Sequence, residues 1–226
     1  MLVEYLRNIP LFKHLKDAQL KEIASRCKRV PYAKGKAIFY KTDLGTDLYI
    51  VLSGKLKAVL TDDEGDEMVL AHFEKGAFFG ELSLLDGKGR SATITADNDA
   101  ELAVLKKDDF FDLIMKDPKI AVELMITLVE RLRKADDMIE SLAFLEVGER
   151  LVRSLLDSAT AKEGSEKGFL RVKKSTHKEL AARIGSSREA VSKCMKVLSS
   201  KGIFREIDGD IFIAHDAIEH LRTVEK

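Results

Sequence analysis

The chain has 226 residues, of which 45% are hydrophobic and 34% charged, an ordinary globular balance with enough apolar side chains for a core. Its longest unbroken apolar run is LYIVL at 48–52, far short of the roughly 20 residues a membrane-spanning helix needs. Lys+Arg and Asp+Glu both number 38, so no overall charge points to a polyanionic partner.

The first ten residues carry charge early and contain no apolar signal-peptide core. With Cys27 and Cys194 as the only cysteines, there is no disulfide framework, no CxxC and no zinc spacing, and a reducing cytoplasm is the expected compartment. Residues 1–29 read as helical, with Leu20, Ile23, Ala24 and Cys27 at helical spacing. Cys27 reads as a small buried apolar residue.

From 30 to about 106 the period changes to two. KAIFYKTD, LYIVLSG, KLKAVLTDDEGDEMVLAHF, GAFFGELSLLD, SATITA and AELAVL are short strand-like runs punctuated by Gly or Asp. LTDDEGDEMVL reads as a hairpin with Glu64-Gly65-Asp66 at its tip. Many short strands at this spacing predict a small antiparallel barrel or roll.

Pro118 starts a helix that runs to Leu145 with no Gly or Pro. That is about 28 residues, or roughly 40 Å at 1.5 Å per residue. Ala121, Leu124, Leu128, Arg131, Ala135, Met138, Leu142 and Leu145 alternate three and four apart, an a/d seam that predicts pairing with the same helix of a second subunit. VGERLVRSLLDSATA continues or re-forms the helix. KEGSEKG reads as a loop, and residues 169–226 hold helices and a final hairpin with Asp208-Gly209 at its turn.

The zero total hides an uneven distribution. Residues 171–205 contain ten Lys/Arg against Glu179 and Glu189, a window of +8 that leaves −8 for the rest. A basic stretch of this kind is the footprint of a nucleic-acid reader. Inside it, STHKELAARIGSSREAVSKCMKVL carries Thr176 with Glu179 and Ser186 with Glu189, two capping boxes, with Gly185 ending the first helix between them. Two short helices joined at a glycine make a helix-turn-helix, with Ala181, Ile184, Val191 and Leu198 as its shared core. The second helix then offers Ser187, Arg188, Glu189, Ser192 and Lys193 to a major groove. Arg and Lys donate to guanine, and Glu accepts from cytosine.

GSSREAVSKCMKVL resembles the recognition segment of the bacterial catabolite activator family, the cyclic-AMP receptor branch of the CRP/FNR superfamily. The resemblance implies that Arg188, Glu189 and Lys193 read a TGTGA-like half-site of a palindrome in double-stranded DNA. It makes Thr176, His177 and Lys178 phosphate contacts. Lys193 stands where arginine is usual, and lysine lacks the bidentate fork.

A second resemblance lies at 78–96, FFGELSLLDGKGRSATITA, which is similar to the phosphate-binding cassette of cyclic-nucleotide-binding domains. Its ten-residue step from Gly80 to Arg90 is that of protein kinase A regulatory subunits. Gly80 allows close backbone approach, and the N–H groups of Glu81, Leu82 and Ser83 favour an anion. Arg90 and Ser91 suit a cyclic phosphate, while Glu81 suits a ribose hydroxyl. The alternative on the residues alone is an internal Glu81–Arg90 ion pair. The family places an arginine at the position of Arg131, near the cassette glutamate. Where the activator has a Thr-Ser pair reaching the base, this chain has Ala135 and Asp136, so Asp136 is the base-contact candidate, and cyclic GMP, cyclic di-GMP, a non-nucleotide effector or activity without ligand stand as alternatives to cyclic AMP. Two isolated cysteines do not supply an iron–sulfur cluster, and His72 is the one candidate for a heme ligand in the roll.

The expected protein is α+β, with no enzymatic site and no permanently bound cofactor. Residues 1–117 form a cyclic-nucleotide-binding β-roll, 118–145 a dimerisation helix and 146–226 a winged helix-turn-helix. The implied function is that of a homodimeric transcription regulator controlled by cyclic AMP, with RNA polymerase as a further partner and no membrane association.

Overall fold

The computed structural model describes residues 2–160, 168–172, 174–207 and 210–224. They form two compact units, one of residues 1–60 and 70–135, the other of 61–69 and 136–226.

The first unit opens with α1 (Leu2–Arg7), a short 3-10 turn (Pro10–Phe12) and α2 (Asp17–Arg26). Eight strands follow along the chain, with the last residue of β4 and the first three of β5 counted in the second unit: β1 (Lys28–Tyr32), β2 (Ala37–Phe39), β3 (Leu48–Ser53), β4 (Leu56–Thr61), β5 (Glu67–Phe73), β6 (Phe78–Phe79), β7 (Thr93–Ala96) and β8 (Ala100–Leu105). They make two sheets, ordered β1-β8-β3-β6 and β2-β7-β4-β5. The run LYIVL is continuous because both faces of β3 are covered: Leu48, Ile50 and Leu52 enter the core shared with the helices, while Val51 enters the core between the sheets. β8 does the same, with Ala103 and Leu105 on one side and Leu102 on the other.

The β4–β5 turn forms as the sequence predicts. Asp62 Oδ1 accepts from the N–H groups of Glu64 and Asp66 at 3.0 and 2.9 Å, the local side-chain turn that Asp favours. α3 (Glu81–Asp86) sits between β6 and β7, and α4 (Lys107–Lys116) follows β8. Sequence periodicity does not single out α4, yet it buries Phe110 and Leu113 in the helix-side core.

α5 (Lys119–Phe144) is the long helix. Along the first half of the predicted seam its partner is the roll of the same chain. Ile120 and Leu124 are buried in the roll's own core, Leu128 packs against it, and Arg131 bonds to Glu81. The upper half of the expected intersubunit seam is therefore intramolecular. A neighbouring stripe is open instead: Val122, Met125, Ile126, Val129, Leu132 and Ile139 are each 48–63% exposed.

The second unit contains α6 (Val147–Asp157), β9 (Ala159–Thr160), β10 (Phe169–Val172), α7 (His177–Ile184), α8 (Arg188–Ser200), β11 (Phe204–Ile207), β12 (Asp210–Ala214) and α9 (Ala217–Val224). Its sheet is ordered β11-β12-β10-β9. Leu151, Val152 and Leu155 of α6 meet Leu180, Ala181 and Ile184 of α7 and Val191, Met195 and Leu198 of α8 in one core. The hairpin is not the last element, since α9 closes the core with Ala217 and Leu221. The predicted turn at Asp208-Gly209 and loop residues 162–167 lie outside the described residues.

Candidate functional site

The cassette is built on a left-handed glycine. Gly80 has φ +89°, and a Cβ there would lie 2.7 Å from the Asp47 carbonyl oxygen and 2.8 Å from Arg90 Nη1. Only glycine leaves room for both. It caps α3, whose first residue, Glu81, is 2% exposed. Ser83 is equally buried, while Leu82 and Ser91 are exposed.

Arg90 is 4% exposed. Its Nη1 donates to Gly80 O at 3.0 Å and its Nη2 to Asp47 O at 3.2 Å. The guanidinium lies over the ring of Phe39, 4.3 Å from the centroid, and 5.5 Å from that of Tyr49. Among the described residues no carboxylate pairs with it at salt-bridge distance. Burial pushes its pKa below the ordinary arginine value, with the fields of Tyr49 and Asp47 opposing. The Tyr49 phenol is pushed up, mainly by burial. Phe39, Tyr49 and Asp47 are members of the site that sequence reasoning missed. They lie on β2, β3 and the connection between them, and only the folded roll brings them to Arg90.

Glu81 does not pair with Arg90. Its Oε1 accepts from Arg131 Nη1 at 2.6 Å, and Arg131 Nη2 donates to Phe78 O. The Arg131 guanidinium also lies over the rings of Phe78 and Phe73, at 5.1 and 5.3 Å. Glu81 Oε2 is buried without a hydrogen-bond partner. A buried carboxylate oxygen costs free energy unless a donor reaches it. The cassette therefore presents a buried cation and a carboxylate oxygen in need of a donor, as a ligand with both an anionic group and a hydroxyl requires. Asp136, the expected base contact, is an exposed residue of α5.

The helix-turn-helix forms with one shift in capping. Thr176 Oγ1 accepts from Glu179 N at 3.2 Å, and Thr176 N donates to Glu179 Oε2 at 2.7 Å, the reciprocal capping box. Gly185 ends α7 at φ +62°. α8, however, is capped by Ser187, whose Oγ accepts from Ala190 N at 3.1 Å. The N–H of Ser186 closes the preceding turn onto Ala181 O, so the expected Ser186–Glu189 capping box does not form. Arg188, Glu189 and Lys193 are exposed on α8 and make no ion pair among the described residues. Thr176, His177 and Lys178 are exposed at the start of α7, and His177 Nδ1 lies 2.8 Å from Ser192 Oγ. Arg150 holds the motif from behind, donating to Ile184 O at 3.0 Å and Leu145 O at 2.7 Å.

The remaining candidates are Cys27, Cys194 and His72. Burial pushes the Cys27 thiol up to about 12 and also raises that of Cys194. His72 lies on β5 with Nδ1 3.5 Å from Asp97. No described helix is long and apolar enough to cross a membrane.

Residues 29–117 match the cyclic nucleotide-binding domain, and residues 149–221 the Crp-like helix-turn-helix domain. The chain is 36% identical over 213 residues to the cyclic AMP receptor protein of Thermus thermophilus, covering 94% of this chain and 96% of that one. It is 30% identical over 202 residues to the cAMP-activated global transcriptional regulator Vfr of Pseudomonas aeruginosa, covering 88% and 92%. The c-di-GMP-responsive global regulator CLP of Xanthomonas campestris shares the fold, with a TM-score of 0.76 and 24% identity over 88% of this chain and 99% of that one. With its roll, long helix and helix-turn-helix in this order, the chain belongs to the CRP/FNR family of cyclic-nucleotide-binding transcription regulators.

Proposed function

We propose that the chain is a homodimeric, sequence-specific DNA-binding regulator switched by cyclic AMP. The observation that carries the effector reading is the cassette's pair of unmet demands: Arg90 buried without a carboxylate, and Glu81 Oε2 buried without a donor. A cyclic nucleotide meets both, its phosphate with Arg90 and its ribose hydroxyl with Glu81. Gly80, Leu82, Ser83 and Ser91 shape the phosphate end. The names of the two curated relatives support adenine as the base. Asp136 is assigned to the base, and because a carboxylate also suits the guanine N1 and N2 donors, cyclic GMP and cyclic di-GMP are the competing effectors.

Thr176, His177 and Lys178 are assigned to phosphates, and Ser187, Arg188, Glu189 and Lys193 to the half-site. The exposed stripe Val122, Met125, Ile126, Val129, Leu132 supports pairing of α5 with a second copy. That pairing would set two recognition helices about 34 Å apart, one helical turn of DNA. In this reading the functional divisions fall near 117 and 145, the compartment is the cytoplasm and RNA polymerase is the downstream partner. Regulation requires that the effector bind the DNA-competent arrangement more tightly than the other.

Calorimetric titration with cyclic AMP, cyclic GMP and cyclic di-GMP tests the reading. Saturable binding of cyclic AMP that Arg90→Ala abolishes is the expected result. No heat with any of the three would overturn effector control by these nucleotides and leave the helix-turn-helix assignment standing.

A further inference from the structure

Thr42 is the only non-glycine among the described residues with positive φ, at +74°. It is β-branched, the side-chain class least suited to that region. The reason for the conformation is a turn. Asp43 N donates to Tyr40 O at 3.1 Å, which places Thr42 third in a four-residue turn, where type II geometry needs φ near +80° and glycine or asparagine is usual.

The turn is clamped onto the cassette. Thr42 N donates to Arg90 O at 2.8 Å, and Arg90 N donates to Asp43 O at 3.0 Å. Both backbone bonds of Arg90 thus run to the turn that Thr42 strains. The fit is close, since a Cβ on Gly89 would lie 2.9 Å from Thr42 O. Tyr40 N also donates to Asp43 Oδ2 at 2.8 Å, and Lys41 N to Thr93 Oγ1 at 2.9 Å. The neighbours over-determine the turn, which is how a strained residue persists.

We propose that Thr42 is a positioning residue that sets the cassette's affinity for its effector. In this proposal the chain relaxes out of the left-handed conformation once the 40–43 turn leaves Arg90. The cost of that conformation therefore counts against the docked cassette and not against the undocked one. Apparent affinity falls in proportion to the docked fraction. The inference rests on the cyclic-nucleotide reading for its ligand, but its structural half concerns the free chain.

The test uses Thr42→Gly and Thr42→Asn in the full-length chain. Both residues accept positive φ, and asparagine does so without glycine's extra freedom in the undocked state. Hydrogen exchange of the Thr42-position and Arg90 amides is measured without ligand, corrected for intrinsic side-chain effects, and cyclic AMP affinity is measured by calorimetry. The expected result is about fivefold slower exchange at both amides, with cyclic AMP binding tightened by up to the same factor, more for asparagine than for glycine. Unchanged exchange in both variants overturns the proposal. Slower exchange with unchanged affinity overturns the affinity-setting role and leaves a purely structural one. If the unsubstituted chain binds no cyclic nucleotide, the effector reading falls, and with it the affinity role, while exchange still decides whether Thr42 strains the docked turn.

Discussion

Arg131→Met isolates the cost of a buried carboxylate. The Glu81 side chain is 3% exposed, its Oε1 bonds to Arg131 and its Oε2 has no partner. Methionine keeps much of the arginine stem's packing against the roll but leaves Glu81 with no described side-chain donor. Breaking a fully buried pair costs about 3–5 kcal/mol. Arg131 is 31% exposed, so solvent screening brings the expected loss down to about 2–3 kcal/mol. At this chain length that lowers the melting temperature by about 5–10 °C. Urea unfolding followed by far-ultraviolet circular dichroism measures it. The double variant Glu81→Leu/Arg131→Met should recover to within about 1 kcal/mol of the parent, because replacing both members of a buried pair by apolar groups is often neutral. A single-variant loss below about 1 kcal/mol, the range of exposed ion pairs, refutes the reasoning, as does a double variant no better than the single one.

Val129→Glu puts a charge in the open stripe of α5 and should turn a dimer into a monomer by analytical ultracentrifugation, with little change in secondary structure. An unchanged association state would move the interface elsewhere. Arg188→Ala should weaken binding to a TGTGA-like palindrome by about 1–3 kcal/mol in fluorescence anisotropy at fixed salt, while binding to unrelated DNA falls much less. With its pKa pushed up to about 12, Cys27 at pH 8 is about one part in ten thousand thiolate and should resist a disulfide reagent until the chain unfolds. Because the folded pKa is raised, its stabilising contribution is complete below the unfolded thiol's pKa and is lost as pH climbs from about 9 towards 12.

What sequence reading recovers follows a physical division. Period-two runs and a hairpin signal reveal the roll because strand faces are set by neighbours in sequence. Gly80, Arg90 and Gly185 stand out because a left-handed turn or a charge in an apolar context leaves a local mark, and Arg188 because it opens the second of two short helices in a basic stretch. The aromatic and carbonyl surroundings of Arg90 leave none. Phe39 and Tyr49 read as ordinary strand residues, and only pairing of distant strands puts their rings against a guanidinium. The capping shift from Ser186 to Ser187 is likewise invisible. Adjacent serines offer equivalent hydroxyls, and the turn closed by the Ser186 N–H onto Ala181 O decides between them.

α5 shows why a repeat does not name its partner. A seam of three and four spacings says that one side of a helix is apolar, and Leu124, Leu128 and Arg131 belong to such a seam. But Val122, Met125, Ile126, Val129 and Leu132 form a second stripe beside it, so most of the helix circumference there is apolar. A helix of that kind is covered on more than one side. The roll takes the first stripe, and the mark of it within the seam is Arg131 itself. An arginine at a core position is costly in a symmetric helix pair, where it would face its own copy, but it is satisfied where a buried glutamate and a backbone carbonyl await it. The residue that broke the heptad pattern was the one that identified which side belonged to the roll, leaving the unbroken apolar stripe open as the surface we propose for pairing with a second copy.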